Sequence, residues 1–411
     1  MHRVVITGMG AVTPLGNDVP TAFRAAVEGR SGIRPIAFAQ HPDARVRIGG
    51  AVTDFDAAAA IGKKELHRHA RFTHLVIGAA KQALADSGLR DAGYAPDRIG
   101  CILGVGMGGI DVIAQEVRAY DASGPRKLSP FGIPASIPNT AACMVAIEAN
   151  AQGPCFCVAS ACASSAHAIG EAFESVRRGS TDAVITGGAE SGLTAHGLAA
   201  FERLGALSKQ NESPERASRP FDRKRDGFVM SEGAAVLVLE SLDSAKRRNA
   251  TIYAELAGYG RSSDAFHVTR PDDDGAGMAR AMRAALADAQ LSATDVDYVN
   301  AHGTATPSND VAETRAIKTV FGADAHSLWI SSTKSMVGHM LGGAAAFETV
   351  VAALAIVHSV VPPTINLEDP DPQCDLDYTP HVARERRLRA VLNNSFGFGG
   401  QNAALLLRSL Q

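Results

Sequence analysis

The chain is poor in aromatic residues and poorer still in cysteine. Phe, Tyr and Trp make up 5% of its 411 residues, tryptophan occurs once, and the six cysteines stand at 101, 143, 155, 157, 162 and 374. Six thiols so scattered cannot form the dense cross-links of a small secreted scaffold. Cys155 and Cys157 have no second cysteine pair at zinc-finger spacing, so buried strand positions are the better reading. Charge of either sign is also scarce in net: 40 Lys and Arg against 43 Asp and Glu leave −3. That balance gives no electrostatic reason to expect nucleic acid. Long apolar runs are missing too. The longest, Val350–Val357, is broken by His358 and Ser359 and is too short to span a bilayer. Met1-His-Arg-Val-Val-Ile-Thr-Gly lacks the apolar stretch and cleavage pattern of a signal peptide. These absences point to a globular protein in a reducing, cytoplasmic setting, with no membrane and no nucleic acid among its partners.

What is present is a large core. The composition is 46% hydrophobic and 20% charged, which suits two or three domains or one large duplicated fold. Short apolar strands alternate with helical patterns, the mark of an α/β architecture. Strands are expected at Arg3–Thr7, Gly100–Leu103, Ala183–Thr186, Ala235–Leu239, Val296–Asn300, Leu328–Ser331 and Ala403–Leu407. Helices are expected at Ala70–Ser87, with Gly88 as its stop, at Ala276–Ala289, and from about His339 to Val357. Ser208–Arg219 and Pro271–Gly275 read as surface loops. The best seam lies near 240–250, dividing the chain into 1–245 and 246–411.

Cys162 is the most informative residue. It follows the apolar, strand-like Cys155-Phe-Cys-Val158 and precedes Ala-Ser-Ser-Ala-His167-Ala-Ile-Gly, whose Ile169, Phe173 and Val176 recur at helical spacing. A thiol between strand and helix meets free N–H groups and the positive end of the helix dipole, which favours thiolate. Two histidines occupy similar places. His302 ends a strand in Val299-Asn-Ala-His302-Gly-Thr304-Ala-Thr306. His339 follows Lys334 in Lys334-Ser-Met-Val-Gly-His339-Met-Leu-Gly-Gly, at the start of a small-residue helix. Loops of this kind gather at one end of a parallel sheet. A fourth segment, Asn393-Asn394-Ser395-Phe396-Gly397-Phe398-Gly399-Gly400, interleaves glycine with phenylalanine and reads as a gate that also offers a backbone N–H to an oxyanion. Gly104-Val-Gly106-Met-Gly-Gly109 fits a dinucleotide fingerprint, but no Rossmann unit opens the chain. His167 reads as a satisfied core histidine.

Taken together and in order, these segments resemble the decarboxylating β-ketoacyl-acyl carrier protein synthases of the thiolase-like superfamily, most of all the elongating synthase II type. The resemblance covers the whole chain and includes Ser218-Arg-Pro-Phe-Asp-Arg-Lys-Arg-Asp-Gly and Val361-Pro-Pro-Thr-Ile-Asn. It implies a thiolase-like fold: two similar βαβαβαββ halves in a five-layer α-β-α-β-α arrangement, the first bringing Cys162 and the second both histidines. It implies a Cys162-His302-His339 triad supported by Lys334, Glu348 and the Phe398 backbone. Related enzymes with a Cys-His-Asn triad are set apart by His339, and thiolases by Phe398 in place of a second cysteine.

The same resemblance implies further sites. Thr304 and Thr306 would serve the phosphopantetheine arm, two hydroxyls at i and i+2 of an extended loop. Phe396, Gly399, Met107 and Ile133 would shape the acyl pocket. Lys63, Lys64, Arg68, Arg126, Lys127 and Arg203 would dock an acidic acyl carrier protein bearing acyl and malonyl groups. Asn300, Ala301, Glu348, Asn393 and Asn394 would hold a structural monovalent cation; no cofactor is otherwise required, and a homodimer is implied. Gln401 stands where Thr is more usual and Ala305 where Ser or Gly is common, departures that leave acyl-chain preference open. A type II polyketide or polyene ketosynthase shares this chemistry. A non-catalytic partner subunit would lack the nucleophile.

Overall fold

The computed structural model describes residues 1–37 and 41–410. Ten strands form its main sheet. They are β1 Val4–Val12, β2 Ile99–Gly104, β3 Cys155–Val158, β4 Ala183–Glu190, β5 Gly233–Ser241, β6 Ala254–Ser263, β7 Tyr298–Asn300, β8 Trp329–Ser331, β9 Ala390–Gly397 and β10 Gln401–Arg408. Six helices frame them: α1 Arg71–Ser87, α2 Thr140–Ala149, α3 Ser164–Arg177, α4 Ala276–Asp288, α5 Pro307–Phe321 and α6 Ala344–His358.

The spatial order is β8-β7-β9-β10-β6-β1-β5-β4-β2-β3. Within β1–β5 the third strand is outermost, followed by the second, fourth, fifth and first. Strands β6–β10 repeat that order and the same senses: two parallel pairings, then two antiparallel ones. The duplication expected from the resemblance is therefore present in the hydrogen bonding itself. One detail differs from two separate sheets. The halves join edge to edge where Val4, Val5 and Ile6 pair antiparallel with Leu256, Glu255 and Ala254.

Layering follows from the period-2 alternation of strand side chains. In β5, Ala235, Leu237 and Leu239 pack into a core shared with α3 and α6, while Ala234, Val236 and Val238 face a second core with α1 and α2. In β10, Ala403, Leu405 and Leu407 face the shared core, and Ala404 and Leu406 face a third core with α4 and α5. Helices α3 and α6 thus lie between two sheet halves, with helices outside each: five layers. Burial on both faces explains why the strands are apolar throughout.

The central helices are closely packed. A Cβ on Gly170 of α3 would stand 2.3 Å from the Tyr259 ring, and the Ala346 N–H donates to Ser165 Oγ at 3.1 Å. The stretch Leu341–His358 is long and apolar enough to cross a membrane, yet 89% of it is buried inside the protein. Its apolarity serves the middle layer.

Several elements depart from the sequence expectations. β1 and β4 run farther than predicted, to Val12 and Glu190. β6 and β9 were not among the expected strands: glycines 258 and 260 dilute the first, and the polar Asn393-Asn394-Ser395 sits inside the second. The helix expected from His339 begins only at Ala344, after a short turn at Leu341–Gly343.

Candidate active site

The loops after β3, β7, β8 and β9 converge on one cavity of about 530 Å³. Cys162 enters it through a sharp bend. Ala161 has φ +51°, a left-handed conformation that costs about 1–2 kcal/mol for a residue with a Cβ. The Ser160 N–H donates to Ser164 Oγ (2.9 Å), whose hydroxyl donates back to the Ala161 carbonyl (2.6 Å), so the first turn of α3 holds the bend. Cys162 is 8% exposed.

His302 follows β7. Its N–H and that of Gly303 both donate to the Glu313 carboxylate at 2.8 Å. His339 is fixed by a strand-like exchange, its N–H donating to Val229 O (2.8 Å) and its carbonyl accepting from Ser231 N–H (3.0 Å). Gly338, at φ +74°, makes the turn that brings it there. The reactive atoms of Cys162, His302 and His339 all lie within 4.8 Å of one another.

Hydrogen bonds set the tautomers. The Leu341 N–H donates to Nδ1 of His339 (3.2 Å), so the ring proton resides on Nε2, which is buried without a partner. Lys334 Nζ lies 3.3 Å from Nδ1 of His302 and pairs with the Glu348 carboxylate. His302 therefore carries its proton on Nε2 as well. Burial first, and Lys334 second, hold both imidazoles well below the usual histidine range, so they are neutral.

The thiol corrects the sequence expectation. Burial pushes Cys162 up to about 11, although Lys334 and the N–H groups of Phe398 and Cys162 itself act in the opposite direction. α3 begins at Ser164, two residues on, so Cys162 stands outside its first turn, and burial is the largest influence on the thiol. Cys162 rests as a thiol.

Models of the β-ketoacyl synthase N-terminal domain and C-terminal domain match residues 1–245 and 253–368. The chain belongs to the β-ketoacyl synthase family. It is 47% identical over 406 residues to 3-oxoacyl-[acyl-carrier-protein] synthase 2 of Coxiella burnetii, covering 99% of this chain and 98% of that one. It is 46% identical to the protein of that name from Synechocystis, covering 100% and 98%. Among solved structures, a β-ketoacyl synthase from Burkholderia phymatum matches with TM-score 0.92 and 37% identity over both full chains. A type II polyketide ketosynthase, bound to its acyl carrier protein and a hexaketide, matches with TM-score 0.93 and 33% identity over both full chains. The fold is thiolase-like.

Of the family-derived site residues, Met107, Thr304, Thr306, Phe396 and Phe398 line the cavity. The two threonine hydroxyls are 2.9 Å apart, though not because the loop is extended: Ala305 between them turns through φ +67°. Gly399 occupies the turn beyond the lining residues, at φ +83°. Ile133 is 74% exposed and does not line the cavity, because the short helix Gly132–Ser136 turns it outward.

Phe398 is half-buried against Phe201, which meets Phe228, which in turn meets His339 at a ring distance of 5.2 Å, a continuous aromatic wall. His167 donates to or accepts from Ser160 Oγ at 2.7 Å, a satisfied core residue as expected.

Lys63, Lys64, Arg126, Lys127 and Arg203 are exposed, and Arg203 precedes Leu204 and Gly205 of the cavity rim. Arg68 differs, since its guanidinium pairs with Glu65 (2.9 Å) and lies over the Phe131 ring. The proposed cation ligands show a shared defect. Asn300 Oδ1, Asn393 Oδ1, Asn394 Oδ1 and Glu348 Oε2 are all buried without hydrogen-bond partners. Unsatisfied buried oxygens are costly, and a hard monovalent cation fits Asn300, Asn393 and Glu348. The Asn394 side chain lies on the other face of β9, against Met282 and Glu313, so its backbone carbonyl and not its Oδ1 would join them.

Sequence reasoning missed Glu313 and Asp310. Asp310 accepts from the Phe221 and Ala305 N–H groups and lies 3.6 Å from Arg225. The available signal was two acids three apart in the opening turns of a helix that proves buried.

Proposed function

We propose that the chain is a 3-oxoacyl-acyl carrier protein synthase that elongates fatty acids by decarboxylative Claisen condensation. The observation that carries this reading is a buried thiol within 4.8 Å of two histidines that each present an Nε2–H.

In the first half-reaction the Cys162 sulfur attacks the acyl thioester. A new C–S bond forms, the old one breaks, and the thiol proton leaves with the phosphopantetheine sulfur. The N–H groups of Cys162 and Phe398, already directed at the sulfur, suit the oxyanion of that step. In the second, malonyl thioester loses CO2 and its bonding electrons remain as an enolate. Two neutral Nε2–H donors stabilise the enolate oxygen without protonating carbon. The enolate carbon then attacks the acyl-Cys162 carbonyl, the C–S bond breaks, and the released thiolate takes a proton from water to return to the resting thiol. Lys334 keeps His302 in the required tautomer, and Thr304 and Thr306 hold the pantetheine arm.

No redox or carbanion-stabilising cofactor is needed, since the thioester and the carboxylate supply the driving chemistry. Asn300, Asn393 and Glu348, with the backbone carbonyls of Ala301 and Asn394, would hold a structural monovalent cation that neutralises buried oxygens beneath the site.

The partner in this reading is an acidic acyl carrier protein, docked on the exposed basic residues; the related polyketide ketosynthase bound to its carrier supports it. A homodimer is supported by β3, an edge strand with Phe156 43% exposed, and by exposed Ile113, Val117, Tyr120, Ile133, Ile137 and Ile147. A second copy would cover Ile133. All six cysteines are free, which fits the cytoplasm.

Polyketide elongation is the second reading, favoured by the fold match to polyketide ketosynthases. The higher identity to elongating synthases over the full chain ranks it lower. Mass spectrometry after incubation with straight-chain acyl carrier protein tests the proposal. Wild type should gain one acyl mass, lost again on adding malonyl carrier protein, and Cys162→Ala should gain none. An unlabelled wild type with every straight-chain donor overturns fatty acid elongation.

A further inference from the structure

Strand β4 ends on a carboxylate that the mechanism above does not use. Glu190 is fully buried and lines the cavity beside Cys162. It accepts the N–H groups of Gly106 (2.8 Å), Met107 (3.0 Å) and Gly108 (3.2 Å), and the Gly342 N–H is directed at the same group. All four donors are backbone. Burial raises the carboxyl to about 7 in spite of them. A charge placed here for stability alone would be an expensive choice.

Those four donors belong to two different loops. One follows β2 and carries Met107, a wall of the cavity. The other is the Leu341–Gly343 turn, whose Leu341 N–H fixes the ring of His339. The loops touch backbone to backbone: a Cβ on Gly342 would stand 2.3 Å from Gly106 N, and one on Gly106 would stand 2.7 Å from Glu190 Oε2. Just past Glu190, Gly192 leaves room for both loops' side chains, since a Cβ there would meet Met107 Cε at 2.2 Å and Leu341 Cδ1 at 3.5 Å.

We propose that Glu190 is a positioning residue that clamps the Met107 loop to the His339 turn, so that one carboxylate sets both the reach of the acyl chain and the aim of the His339 Nε2–H. This rests on the condensing reading above. Released, Met107 would move in the acyl pocket while His339 lost its fixed ring, and the two half-reactions would be altered separately. A purely structural glutamate would lower both in proportion to folded protein.

The test compares wild type with Glu190→Gln and Glu190→Asp. Cys162 acylation by medium- and long-chain acyl carrier protein is read by mass spectrometry, and discharge of the pre-formed acyl-enzyme by malonyl carrier protein is timed separately. Glu190→Gln should change the ratio of long- to medium-chain acylation, and slow discharge, each by about tenfold or more. Glu190→Asp keeps the charge but draws it back from the loops, and should change the ratio in the same direction by less. Wild-type ratio and discharge in a folded variant overturn the proposal. So does a proportional loss of both half-reactions that follows the melting temperature, or failure of both variants to fold. An unacylated wild type would instead sink the condensing reading itself.

Discussion

The Lys334 ammonium bridges the buried Glu348 carboxylate and Nδ1 of His302, the latter at 3.3 Å. Both charges are 1% exposed. Removing one partner of such a pair strands the other, at a cost of about 3–5 kcal/mol, whereas removing both can be nearly neutral. Lys334→Met should therefore destabilise the protein by about that amount in urea unfolding. Lys334→Met with Glu348→Leu should recover most of the stability but not condensation, because His302 then lacks the donor that sets its tautomer. A double variant with wild-type condensation would remove Lys334 from the mechanism.

Glu313 makes stability depend on pH. Burial raises its carboxyl from 4.5 to about 7, even though it accepts the His302 and Gly303 N–H groups. Between those values the folded state binds more protons than the unfolded chain. The stability linked to this group is full below 4.5 and is lost as pH rises through about 7. Glu313→Gln should flatten that dependence: wild type should lose more melting temperature than the variant over this window. The depressed carboxylates, such as Asp297 and Glu255, are common to both proteins and cancel in the comparison. Parallel profiles would show that Glu313 is ionised throughout.

Arg126 and Lys127 are exposed and take part in no salt bridge among the described residues. Reversing both to Glu should raise the apparent KM for carrier-bound substrate several-fold at low salt, with kcat unchanged, and the difference should shrink as ionic strength rises. An unchanged KM would place the docking face elsewhere.

Gly104 ends β2 directly beneath the nucleophile helix. A Cβ there would stand 2.3 Å from the Ser164 carbonyl carbon and Ser165 N, both rigid backbone. Gly104→Ala should cost about 1–3 kcal/mol as overpacking and displace Cys162. Slower acylation in the folded fraction, measured by mass spectrometry, checks the second effect.

Much of the site was legible because its chemistry demands particular side chains at strand ends. Cys162, His302, His339 and Phe398 stand in glycine- and alanine-rich loops that have no packing reason to carry them. The accepting carboxylates were not legible. Glu190 acts on backbone N–H groups more than eighty residues away and leaves no motif, while Asp310 and Glu313 reach back to the loop that opens their own helix, a pairing that becomes visible only once that helix proves buried. Ile133 lies outside the cavity of a single chain, on a face that the homodimer reading covers with a second copy, and a short apolar helix does not announce which side faces the protein. The Cys162 thiol failed in sign, because a helix dipole is visible in sequence and desolvation is not.

Local periodicity by itself determined the α/β class, most strands, the helices at 71–87 and 276–288, and the strand-to-helix placement of the nucleophile, since these depend on neighbours within a few residues. The duplicated halves and the triad came from the family resemblance and not from periodicity; the tertiary structure decided the strand order that the halves share, that an apolar stretch fit for a membrane is a middle layer, and that residues 162, 302 and 339 meet within 4.8 Å. Those outcomes arise from contacts between segments tens to more than a hundred residues apart. Their free energy is shared across the core and written in no single segment.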